Sequence, residues 1–120
     1  MEELIGRLVA NVGVDRAAAE KAVAIILQFL LKEGPADKVQ PLIAKLPGAE
    51  AAIAAAPAES GGMFAMGGVM GAGTRMMAAG LSMGQVQAVT RETIGYAREL
   101  LGEDAVGEIV GAIPGLGQFI

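Results

Sequence analysis

Few side chains in this sequence could do chemistry, and five of them are methionines. Met63, Met66, Met70, Met76 and Met77 all fall in one stretch, GGMFAMGGVMGAGTRMMAAG, from Gly61 to Gly80. A thioether is a soft ligand for Cu(I) and a pliable apolar contact. The chain has no Cys and no His. A copper site would therefore rest on thioethers alone, disulfides and zinc–thiolate sites are excluded, and the usual acid–base side chain is missing. Carboxylates are what remains. Glu92 and Glu99 are seven apart on one helix face. Glu103 and Asp104 adjoin at a helix start, where acids complement the macrodipole. Arg91, Arg98 and Glu99 pattern as a solvated face. Ser60 and Ser82 lack a histidine to activate them. GAGTR, Gly71 to Arg75, imitates a phosphate loop without its lysine or its strand. The expectation is a protein that is not an enzyme, with no cofactor and no metal.

Composition narrows the setting. The 120 residues are 53% apolar but only 3% aromatic, so the core must be aliphatic. Alanine is abundant and β-branched residues do not alternate, which predicts an all-α fold. The length suits a single domain, residues 1–120. A net charge of −4 argues against nucleic acid and against an anionic membrane surface, both of which attract basic clusters. The start, MEELIGRLVA, has no basic leader, so the expected location is cytoplasmic.

The elements that must position these residues are helices. Glu2 to Asn11 reads as a short helix with Leu4, Ile5, Leu8 and Val9 on one side, ended by Gly13. Asp15 suits the N-cap of a helix to Glu33. Its middle, AVAIILQFLL, is apolar nearly all round apart from Gln28, and such a helix is buried on several faces. Gly34-Pro35 breaks the chain. Asp37 to Leu46 is a short helical piece, with Pro41 starting a fresh turn or kinking it, and Pro47-Gly48 stops it. Ala49 to Ala56 reads as helix, and Glu59 to Gly62 as a joint. Ser82 is an N-cap candidate for a helix from Met83 to Leu101 that aligns Val86, Val89, Thr93, Ala97 and Leu100. Gly102 breaks it, and a last helix runs to about Ala112.

Residues 13–48, GVDRAAAEKAVAIILQFLLKEGPADKVQPLIAKLPG, align without a gap on residues 80–115, GLSMGQVQAVTRETIGYARELLGEDAVGEIVGAIPG. Gly13 meets Gly80, Asp15 meets Ser82, Phe29 meets Tyr96, and Pro47-Gly48 meets Pro114-Gly115. Stops and caps coincide, the positions with structural meaning. The expectation is two related helical halves in a bundle of about six to seven helices, joined by the Ala/Gly/Met-rich segment 49–79. The first half carries the greasier long helix, expected to be central. The second has TRETIGYARE there and is expected to be peripheral and half solvated.

As a helix, the methionine stretch aligns Met63, Met66, Met70 and Met77, with Gly73 in the vacant heptad place. Fifteen uncharged residues between Glu59 and Arg75 fall short of the roughly 20 a membrane span needs. A flexible linker would be richer in polar residues. The glycines each cost roughly 1 kcal/mol relative to alanine, so the helix must be held by packing on its own bundle or on a second chain.

The segments GVDRAAAEKAVAIILQFLLKEG, PLIAKLPGAEAAIAAAP and GEIVGAIPGLGQF resemble a group of small bacterial helical proteins known only as domains of unknown function. That resemblance implies a bacterial all-α protein and brings no catalytic residue, cofactor or partner. The expected function is a non-catalytic interaction or scaffold protein, a homo-oligomer associating through an apolar surface at Met63, Met66, Met70, Met76 and Met77. The alternative is a small carrier or sensor of an apolar ligand such as an acyl chain. Nucleic acid and stable membrane insertion are not expected.

Overall fold

The computed structural model describes residues 2–55, 68–113 and 115–119, with 55, 68–70, 118 and 119 described by backbone alone. Among the described residues seven helices follow one another: α1 (Glu2–Val12), α2 (Arg16–Glu33), α3 (Ala36–Ala44), α4 (Ala49–Ala55), α5 (Gly68–Ala78), α6 (Met83–Leu101) and α7 (Glu103–Ala112). A 3₁₀ turn, Leu116–Phe119, closes the tail. There is no strand among the described residues. The protein is an all-α bundle with a Cα radius of gyration of 13.0 Å, close to that of a compact chain of this length. The joint expected at Glu59 to Gly62 lies outside the described residues, as do Met63 and Met66.

Helix α2 is the axle. It packs on α1, α3, α4, α5 and α6, which is why nine of its residues from Ala19 to Leu30 are buried. Asp15 starts it by accepting from the Ala18 N–H at 2.8 Å. Its end is tighter. Gly34 donates to Leu30 O at 2.8 Å, and a Cβ on Gly34 would stand 2.7 Å from that same oxygen, with Val39 and Ile113 side-chain atoms at 3.3 Å. Only a residue without a side chain fits there. Helix α3 runs through Pro41 on an exposed position, where the carbonyl freed by the missing N–H can be hydrated.

Helix α6 is the second long element. Ser82 caps it in a full capping box: its hydroxyl accepts from Gln85 N at 3.2 Å and Gln85 Oε1 accepts from Ser82 N at 3.0 Å. Its inner face buries Val86, Val89, Ile94, Tyr96 and Ala97, together with Thr90 and Thr93. Both hydroxyls donate to carbonyls one turn back, Val86 O and Val89 O, each at 2.8 Å, so neither is stranded in the core. Its outer face carries exposed Gln87, Arg91, Arg98 and Glu99. Lys45, just past α3, donates to Leu100 O at 3.0 Å and satisfies a last-turn carbonyl of α6.

Some positions 67 apart share a backbone sign or a buried side chain. Gly13 and Gly80 both have positive φ, as do Gly48 and Gly115. Ala22 and Val89, Leu27 and Ile94, Phe29 and Tyr96, Val39 and Val106, and Leu42 and Ile109 are buried in pairs. One expectation needs correcting. Val9 is 41% exposed while Leu4, Ile5 and Leu8 are fully buried. At about 100° per residue Val9 lies about 40° beyond Ile5, past the edge of the arc that α2 and α6 cover.

Candidate functional site

The methionine segment enters the described structure as α5, which packs on α2 and α6. Its inner arc is Gly71, Ala72, Gly73 and Met76, all buried. Met76 is 3% exposed and Met77 is 45% exposed. Met76 therefore belongs to the core and not to the expected surface, and Met77 points outward. Gly73 is buried one turn from Met77, so the two do not share the stripe that heptad spacing suggests. The reason is the one that exposes Val9: Met77 lies about 40° past the buried arc. Met70 is on α5 and its side chain is outside the description. After α5 the chain turns at Gly80, φ +110, and α6 begins with Met83, 50% exposed. Met77 and Met83 thus flank one corner of the bundle. Met83 was not among the expected surface residues.

Beneath α5 lies an apolar cavity of about 20 Å³, bounded by Ile26, Phe29, Ala72, Gly73, Met76, Val86, Thr90 and Leu116. It has room for about one water-sized group and not for an acyl chain. A wider open cleft of about 250 Å³ lies between α2, α3 and α4, lined by Leu31, Gln40, Ile43, Glu50, Ile53 and Ala54.

Gln28, the lone polar residue in the apolar run of α2, joins three helices. Its amide donates to Ile53 O of α4 at 2.8 Å, and its Oε1 accepts from Arg75 of α5 at 2.7 Å. The Ile53 carbonyl is among the last four of α4, which have no partner within their own helix. A single amide in a greasy helix signals a partner, because an unpaired one would be costly. The partners themselves lie 25 and 47 residues away.

Glu99 pairs with Arg7 of α1, with a second contact at 3.0 Å. Arg7 also meets Glu3 at 3.3 Å and lies 4.9 Å from the Tyr96 ring centre. The Tyr96 hydroxyl donates to Glu3 at 3.3 Å. The Arg7 hydrogen bond holds the Glu99 carboxyl below the usual range, away from what a general acid requires. Burial pushes the Tyr96 hydroxyl up, and Glu3 adds to this. Elsewhere Arg16 pairs with Glu2 and Glu20, and Lys38 with Glu108 at 2.9 Å. Glu103 and Asp104 are exposed at the start of α7. Among the described residues no group of three or more acids is placed to hold a metal ion. Ser82 is spent as a cap. GAGTR lies inside α5, so its amides are within a helix and do not form a phosphate-cradling loop. No helix among the described residues is long and apolar enough to cross a membrane.

Comparison with family models, with curated proteins and with solved structures finds no match.

Proposed function

We propose that this chain is a non-catalytic helical interaction protein that associates with itself at the corner between α5 and α6. The observation that carries this reading is the exposure of Met77 near the end of α5 and of Met83 at the start of α6, which with Val9 are the large apolar side chains most exposed among the described residues. In the sequence they follow Met63, Met66 and Met70. Methionine adapts to irregular partner surfaces, and a two-fold pairing of identical corners is the commonest way to cover such a patch. The absence of His and Cys from the sequence and the engagement of Glu99 by Arg7 support a non-catalytic role. We also propose that residues 13–48 and 80–115 are copies of one ancestral unit, as their shared positive-φ glycines and paired buried positions support, and that the protein works in the cytoplasm.

Native mass spectrometry at tens of micromolar tests the reading. The wild type is expected as a dimer at apo mass, and Met77→Glu with Met83→Glu as a folded monomer. A wild-type monomer overturns it. A second reading, a carrier of a small apolar molecule, has the open cleft at Leu31, Ile43 and Ile53 in its favour. It predicts extra mass that disappears on denaturation.

A further inference from the structure

Helix α5 differs from every neighbour in how it is built. Its eleven residues include Gly68, Gly71 and Gly73, each lowering helix stability relative to alanine. Packing does not demand the glycine at 73. A Cβ there would meet only Val86 Cγ1, at 4.0 Å. The helix seats itself through small groups, Ala72 and Gly73, and one pliable one, Met76. By contrast α6 sends Val86, Val89, Ile94 and Tyr96 into the core. Beneath α5 lie Ile26 and Phe29 of α2, which with Val86 of α6 wall the small cavity. Across the gap between α4 and α5, Gln28 ties both helices to α2 through Ile53 O and Arg75.

We propose that α5 is a releasable strap over the apolar face formed by Ile26, Phe29 and Val86, fastened with α4 at Gln28, and that strap and α4 open together while the rest of the bundle stays folded. The inference stands apart from the self-association reading, because it concerns the inner face of α5 and not Met77. Elements that open at low free energy are those with few large apolar contacts and weak local propensity; among its described side chains α5 buries one large apolar group, Met76, and its glycines weaken its propensity. The shared amide is what couples α4 to it. If Gln28 lets go, the Ile53 carbonyl and the Arg75 guanidinium lose a partner in one event.

Native-state hydrogen exchange of the full chain in increasing, sub-denaturing urea tests this. Amides of α4 and α5 are expected to share one protection level, at least about tenfold below that of α2, with little urea dependence, since a local opening exposes little surface. Protection of α2 should fall steeply with urea. Gly73→Ala should slow exchange in α5, and with it in α4, about fivefold, the ratio that matches its helix-propensity gain. Gln28→Leu should speed α4 and α5 by the same factor. Gln28→Glu separates the two bonds, because it keeps an acceptor for Arg75 and loses the donor to Ile53 O. It should loosen α4 and leave α5 protected. The proposal is overturned if α5 follows the α2 isotherm without urea, or if Gln28→Leu leaves both helices unmoved.

Discussion

The pair α2–α3 and the pair α6–α7 begin and end alike and live in different surroundings. Asp15 and Ser82 cap the long helices, each accepting from the backbone N–H three residues on. Glycines with positive φ stand before and after each pair. Where α2 buries Ala24 and Ile25, however, α6 shows exposed Arg91 and half-buried Glu92 at the positions 67 residues on. Punctuation therefore sets where a helix runs, and the width of its apolar arc sets how deep it sits. The same frame yields a helix buried nearly all round in one place and one that keeps a solvated face in the other.

Exchanging residues across the frame should break that symmetry most. Ile25→Glu places a carboxylate where a side chain is 4% exposed, and is expected to cost more than about 4 kcal/mol or prevent folding. The reciprocal Glu92→Ile should change stability by less than about 1 kcal/mol. Urea melts of the two variants read the contrast directly, and equal costs would mean that α2 is no more central than α6. The glycines come next. Gly13→Ala and Gly80→Ala force left-handed backbone on a side chain and should each cost about 1–2 kcal/mol. Gly95→Ala, in open space inside α6, should gain up to about 1 kcal/mol. Thermal melts showing all three alike would remove the distinction between punctuation and filler.

The caps sharpen the comparison further. Asp15→Ala and Ser82→Ala should each cost about 1 kcal/mol, since each removes one side-chain acceptor while the Ser82 N–H keeps Gln85 Oε1 as its own acceptor. The smallest effect is acidic. A carboxyl held below its usual range stabilises the fold above that range, and the benefit disappears as pH falls through the lowered value. Glu99 is such a group, through Arg7. Melting temperatures of wild type and Glu99→Gln should thus converge as the solution is acidified, and also at high salt.

Much of this frame is legible in the amino acids. Asp15, Ser82, Gly34-Pro35 and Gly102 act within a turn or two of where they stand, so their meaning is local. The apolar girth of α2 likewise announces a central position. What escapes is whatever depends on rotation or on distant partners. One residue's rotation decides that Met76 fills the core while Met77 faces outward, and heptad spacing does not register an arc edge. Glu99 looks like part of a solvated face until Arg7, 92 residues earlier, is brought beside it. The role of Gln28 was half visible: a polar residue in such a run must have a partner, but nothing nearby in sequence names Ile53 or Arg75.

Gly34 has a consequence of its own. The glycines at 13, 48, 80, 102 and 115 are selected by backbone sign, and asparagine visits that region most readily among the other residues. At Gly34 φ is −93, so any residue could adopt the backbone. There the obstacle is the Leu30 carbonyl, which cannot yield without unwinding α2. In a saturation library the glycines at 13, 48, 80 and 115 should therefore show asparagine as their best-tolerated substitute, whereas Gly102, with ψ 160, stands in a region that glycine alone adopts freely. Position 34 should tolerate none, asparagine included.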